Sequence, residues 1–159
     1  MKQLIQKLTE TFSPSGYEAA IREVILAEIQ PLADEVRVDA LSVDVVPSGD
    51  TPRGWNTHTA LGKGPAVLIK DSGLLVDSRI VAWMTETAEK AHIPYQRNVQ
   101  QKGGTDAQAM QLTRAGVLAG SLGIPTRYAH SPSEMIDIND VENAVKLLTE
   151  LLNNPIQLD

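Results

Sequence analysis

The sequence predicts an α/β fold with a largely parallel sheet and helices on both faces. Segments dense in Val, Ile and Leu alternate with segments whose apolar residues recur at helical spacing. Clusters of Gly, Pro and Ser separate them. The 159 residues, 42% hydrophobic, suffice for one domain with its own core. Strands alternating with helices pack as a sheet between helical layers.

Leu4, Ile5 and Leu8 share a helical face, so a helix is expected over 2–11, ended by Ser13-Pro14-Ser15-Gly16. Ser15 and Glu18 have capping-box spacing ahead of a second helix over 17–30, which Pro31 stops. Residues 35–38 and 43–46 read as strands. Residues 47–64, rich in Gly, Pro, Ser and Thr, lack any apolar period, and a loop that long in a compact domain is usually functional or disordered. A buried strand over 65–69 follows, then a helix over 76–91 and a strand over 93–100. Gly103-Gly104 is a turn, and Thr105 with Gln108 suggests a capping box opening a helix over 106–115. A strand over 117–124 leads through a loop over 125–135 to a final helix over 139–153. There Ile138, Val141, Val145, Leu148 and Leu152 form one stripe, and Asn139 with Glu142 reads as the cap.

Charge and composition exclude several roles. Fourteen basic against twenty acidic residues give −6, which argues against nucleic acid as a partner. The absence of cysteine excludes disulfides and thiolate metal sites, and fits a reducing compartment. No apolar run reaches the roughly 20 residues of a membrane span. The first twelve residues alternate charged and apolar types like a helix, not like a secretion signal, so the expected location is cytoplasmic.

In largely parallel sheets sites lie beyond the carboxyl ends of strands. That points to residues 44–50, Asp71, 103–106 and 125–134. Gly62-Lys63-Gly64 lacks the spacing and hydroxyl of a phosphate loop. Neither Ser15-Gly16 nor Ser48-Gly49 has the context of a nucleophile elbow. His130 follows an expected buried strand, where its imidazole can ligate a metal if a nearby acid fixes the tautomer; a loop histidine bonded to backbone is the plainer alternative. Asp44 interrupts a β-branched run, where a carboxylate is costly unless it is paired, metal-bound or on a solvated face. His58 and His92 read as structural, and Asp106 as a helix N-terminal acid.

Six motifs then occur in order: Pro14-Ser15-Gly16-Tyr17-Glu18, Val43-Asp44-Val45 with Gly49-Asp50-Thr51-Pro52, Gly62-Lys63-Gly64-Pro65, Ile93-Pro94-Tyr95-Gln96, Gly103-Gly104-Thr105-Asp106-Ala107, and Arg127-Tyr128-Ala129-His130-Ser131-Pro132-Ser133-Glu134. Together they resemble the tetrahedral aminopeptidases, a family of deblocking and glutamyl aminopeptidases with some members called endoglucanases. The resemblance implies a three-layer α/β/α core with a mixed, largely parallel sheet. It also implies a cytosolic enzyme with two zinc or cobalt ions bridged by an aspartate, which trims peptides from the amino terminus and assembles into homo-oligomers. By motif, Asp44 resembles a ligand of one metal and His130 a ligand of the other.

The same resemblance exposes what is missing. The family's His-x-Asp motif, its Asp-Asp-Arg motif with the bridging aspartate, and its Glu-Glu pair with the general base are absent. Asp39-Ala40-Leu41 resembles the start of a segment that in the family precedes these residues and a second, small β domain, yet Ser42 leads straight into Val43-Asp44-Val45. The chain is therefore expected to be a single truncated catalytic domain over 1–159, with an internal excision near 40–43. A two-metal hydrolase needs a bridging ligand, enough donors and a base. With only Asp44 and His130 inherited, metal should bind weakly or not at all and hydrolysis should be lost. Two alternatives stand beside this: a reduced but working enzyme with Asp50, Asp71, Asp106 or Glu134 as substitute donors, and a non-catalytic oligomerisation module. Strands lost with the excision would leave an apolar edge and favour self-association.

Overall fold

The computed structural model describes residues 41–52, 54–112 and 116–156. By its contacts the chain divides into two units, Met1–Val38 and Asp39–Asp159, and every described residue belongs to the second. The helices expected over 2–11 and 17–30, the strand over 35–38 and its junction with the next strand lie outside the described residues.

Five strands and three helices follow: β1 (Leu41–Pro47), β2 (Ala66–Lys70), α1 (Ser78–Lys90), β3 (Gln96–Val99), α2 (Ala107–Gln111), β4 (Gly120–Arg127), β5 (Met135–Ile136) and α3 (Ile138–Asn153). The sheet has the order β1-β4-β2-β3, with β5 paired to β4. β1 runs parallel to β4 from Leu41↔Gly120 to Pro47↔Thr126, and β2 parallel to β3. β2 is antiparallel to β4, as is β5. The mixed, largely parallel sheet is the expected one, and the long loop expected over 47–64 is present with Pro47 ending β1, residues 48–52 and 54–64 being described and free of helix or strand.

The reversal between β4 and β2 corrects the placing of the site loops. The carboxyl ends of β2 and β3 point to the edge from which β4 starts. Asp71 and the turn at Gly103 therefore lie at the other end of the sheet from the loop carrying His130.

Helices α1 and α3 pack on one another and on β2 and β4. Val67, Leu68, Ile80, Met84, Leu122, Leu147 and Leu151 anchor the core. Leu122 and Leu147 are wholly buried, and each such leucine contributes roughly 1.5–3 kcal/mol relative to exposure. In α3 the inward stripe differs from the expected one. Val141, Ala144, Leu147 and Leu151 are buried, whereas Ile138, Val145 and Leu152 stand about 40% exposed. The cap is Asp137, whose carboxylate accepts the Asn139 N–H at 2.8 Å, not the Asn139–Glu142 pair. Asp140 fixes the rotation. It is wholly buried and accepts N–H bonds from Gly62 (2.8 Å) and Gly64 (2.7 Å), so this face of the helix turns toward the loop.

The capping box at Thr105 and Gln108 does not form. The Thr105 hydroxyl instead donates to Asp71 at 3.0 Å, and the N-cap position falls to Asp106, without a side-chain cap bond. A buried carboxylate competes better for that hydroxyl than a helix end does. The described part of this helix is one short turn, Ala107–Gln111, and β4 starts at Gly120 and reaches Arg127, three residues past the expected end.

The long loop is tied to the sheet by side-chain amides. Gln96 accepts the Ala60 N–H and donates to the carbonyls of Ala60 and Gly64. Asn98, wholly buried, donates to Thr59 at 2.6 Å. Gly64, at φ +89°, must be glycine, because a Cβ there would strike the Pro94 carbonyl.

Candidate functional site

Asp44 sits halfway along β1, half-buried, opposite Gly123 on β4. Glycine at 123 makes room for the buried Val46, whose Cγ1 a Cβ there would approach to 2.5 Å. One carboxylate oxygen accepts the Val45 N–H at 2.7 Å. Burial pushes the Asp44 carboxyl above its ordinary pKa against that bond; the charge of Asp106 adds to the rise and His130 opposes it. Asp44 thus feels the charges of both Asp106 and His130.

His130 lies at the tip of the β4–β5 hairpin, exposed, with φ +64°. Tyr128 shares this left-handed conformation at φ +58°, and each such non-glycine residue costs roughly 1–2 kcal/mol. Glu134 accepts the main-chain N–H of His130 at 2.6 Å. Glu134 thus binds the backbone of His130 and not its ring. The hairpin base is held by Arg127, which donates from Nε (3.0 Å) and Nη2 (2.7 Å) to the two oxygens of Asp50. Asp50 also accepts the Leu61 N–H, so one carboxylate joins the long loop to the hairpin. The Arg127 guanidinium holds the Asp50 carboxyl well below the usual carboxylate range.

Of the four substitute donors, three are committed elsewhere. Asp50 is bound to Arg127 and Glu134 to the backbone of His130. Asp71, 1% exposed, accepts the N–H groups of Gly73, Leu74 and Thr105 and the Thr105 hydroxyl. Burial disfavours its charge, but these four bonds prevail and leave its pKa lowered. Asp106 is exposed and makes no cap bond.

Among the described residues no three His, Asp or Glu side chains gather where they could hold a cation. Catalytic zinc normally takes three protein ligands and an open position, so this donor set does not fit a dinuclear centre. His58 and His92 are both exposed; His92, at φ +54°, follows α1.

The Asp71 hub, the Asp50–Arg127 pair, the Glu134 bond and the Asp140 clamp escape sequence reasoning. Only Asp140 leaves a signal: an acid at the head of the spacing 140, 144, 147, 151, a buried helical column.

A family model described as M42 glutamyl aminopeptidase matches residues 21–147. A protein of Acetivibrio thermocellus, provisionally named an aminopeptidase, is 37% identical over 150 residues, 93% of this chain and 46% of its own. The lysyl aminopeptidase of Pyrococcus furiosus is 39% identical over 100 residues, 62% of this chain and 28% of its own. The structure of a TET aminopeptidase from a marine-sediment thaumarchaeote superposes with a TM-score of 0.70 at 33% identity, covering 74% of this chain and 33% of that one. The chain thus spans less than half the length of each.

Proposed function

We propose, from the premise that this chain belongs to the M42 glutamyl aminopeptidase family, that it keeps the core of a metallo-aminopeptidase without a complete hydrolytic centre. The observation carrying this reading is the state of the donors. Asp44 and His130 stand as a pair, and Asp50, Asp71 and Glu134 are spent on structural bonds. A two-metal hydrolase needs a bridging carboxylate to hold its ions together and a base to take the proton of the attacking water. Neither the family's bridging motif nor its base motif occurs in the sequence. Peptide substrates, zinc or cobalt, a cytoplasmic location and homo-oligomeric assembly are the attributes the family reading carries. Exposed Val43 and Val45 on β1 support association between chains.

One observation favours the reduced-enzyme alternative. Asp106 alone of the four substitute donors makes no structural bond, and its charge acts on Asp44. Elemental analysis of size-exclusion peaks of known mass, followed by a chromogenic aminopeptidase assay, decides between the readings. The expected result is well under one metal per chain and no turnover. Roughly two tightly held metals per chain with metal-dependent cleavage, abolished by Asp106→Asn, would establish the alternative. Co-elution of the metal-poor chain with a full-length relative as a defined complex would favour an assembly module.

A further inference from the structure

The side of β3 that meets the long loop carries three carboxamides in series. Residues 96, 98 and 100 turn to one side, as alternate residues of an extended segment do, and the exposed Arg97 and Val99 turn to the other. The first two amides are spent on the loop. Gln96 bonds the main chain of Ala60 and Gly64, and Asn98 donates to the hydroxyls of Thr57 (3.3 Å) and Thr59 (2.6 Å). Gln100 breaks the series. It is 8% exposed, and its main-chain N–H donates to the Lys70 carbonyl at 2.8 Å, yet its side-chain amide has no hydrogen-bond partner among the described residues. A carboxamide has two N–H donors and a carbonyl acceptor, and burying them unpaired is costly.

Gln100 lines a cavity of about 380 Å³, between the end of β3 and the turn at 54–57 of the long loop. That volume lies in the range of small-molecule sites. The turn is held in shape. The Gly54 N–H donates to the Thr51 carbonyl and the Thr57 N–H to the Trp55 carbonyl, both at 2.8 Å. Gly49 passes so close that a Cβ there would strike the Thr57 carbonyl, and the Asn98 bond ties Thr57 to β3. The turn gives the cavity Trp55, about half exposed. Gln101 and Lys102, both exposed, line the opposite side, and no carboxylate does so among the described residues.

These groups define the chemistry of an occupant. An indole takes a flat ring by stacking. A carboxamide pairs best with an edge that sets a donor beside an acceptor, as nucleobases do. An ammonium with no acid beside it takes an anion. A nucleoside monophosphate carries all three features. A single nucleotide does not call for the basic face that a nucleic acid needs, so the net charge of −6 is no obstacle. We propose that the cavity between the Trp55 turn and the end of β3 binds a nucleoside monophosphate, its base stacked on Trp55 and paired with Gln100, its phosphate at Lys102. Such a site operates whether or not the chain hydrolyses peptides.

The isotopically labelled full chain is titrated with the monophosphates of adenosine, guanosine, cytidine and uridine, and the side-chain N–H resonances of Gln100 and Trp55 are followed. The indole of Trp83, whose N–H donates to the Asn154 carbonyl at 2.8 Å, serves as internal control. At least one nucleotide should shift Gln100 and Trp55 saturably and leave Trp83 unmoved. Gln100→Ala and Trp55→Ala should each weaken binding about tenfold. Lys102→Ala should weaken the monophosphate and leave the parent nucleoside unchanged. Without ligand, Gln100→Ala should melt no lower than the wild type, because an unpartnered amide adds nothing to the free chain. Should that variant fail to fold, Trp55→Ala, on an exposed turn, carries the test. The absence of saturable shifts up to about 5 mM nucleotide would overturn the proposal. Equal shifts from inorganic phosphate or ribose 5-phosphate would do the same, by reducing the site to an anion at Lys102. So would equal shifts from a glutamine-containing peptide, which would assign the cavity to peptides, or a Gln100→Ala variant that melts several degrees lower. Aminopeptidase turnover and metal content, measured separately, bear on the proposed function and leave this result intact.

Discussion

Asp71, just beyond β2, is 1% exposed and accepts four hydrogen bonds, whereas Asp44, halfway along β1, keeps one, from the adjacent N–H. Both are carboxylates of one sheet, and burial works against the charge of both. Around Asp71 the backbone supplies enough donors to overcome that cost, and the carboxyl stays ionised below its ordinary pKa. Around Asp44 it does not, and Asp106 makes matters worse. A charge that the fold has fully solvated with its own amides is structural. A half-buried charge with one local hydrogen bond, as at Asp44, is left short of partners.

Replacing Asp71 is the strongest way to break this contrast. Asp71→Ala leaves three buried N–H groups and a hydroxyl without an acceptor. The expected cost is about 3 kcal/mol, a fall in melting temperature of roughly 10 °C for a chain of this size. Thermal unfolding by circular dichroism measures it. A loss of only one or two degrees would mean that water or a shifted loop satisfies those donors.

Asp50→Asn should do less, because the pair with Arg127 is partly open to solvent and such pairs contribute modestly. A drop of a few degrees is expected near neutral pH. The folded pKa of Asp50 is depressed, so the contribution of the pair is complete above about pH 4, the unfolded value. It is lost as pH falls toward the folded value. The wild type should therefore lose its advantage over D50N in acid, and an undiminished advantage at pH 2 would refute the ion-pair origin.

Asp44→Asn gives the smallest effect, with the opposite sign. The raised folded pKa means that ionised Asp44 penalises the folded state above that pKa. Removing the charge should leave stability unchanged or raise it by at most ~0.5 kcal/mol at pH 7, after allowance for solvent screening. Urea unfolding of D44N that showed a clear loss would place Asp44 with Asp71, as a structural carboxylate.

Much of the fold is legible in the sequence where local chemistry decides it. The spacing of Ile80, Met84 and Ala88 places α1, and the Gly- and Thr-rich stretch after Pro47 reads correctly as a loop. Direction is not local. Nothing in residues 66–70 says that they run against β4, so the site loops could not be assigned to the correct ends of the sheet. Caps fail for a related reason. Thr105 has the right spacing for a box, but a partner 34 positions earlier outbids it. At the site, ordered motifs point to Asp44 and His130. That Asp50 and Glu134 are already engaged depends on contacts with Arg127 and a peptide N–H, which spacing alone does not reveal.

The pairing of β1 with β4 has a further consequence. The two serines that meet across it, Ser42 and Ser121, are 79 positions apart. Every other residue of the ladder has a partner equally distant in sequence, so this pairing forms only after a large loop has closed. Among the described strand pairs, this one spans the greatest separation in sequence. During synthesis β4 emerges last of the two, so the β1–β4 contact cannot shield the exposed Val43 and Val45 until residues 120–127 have been made.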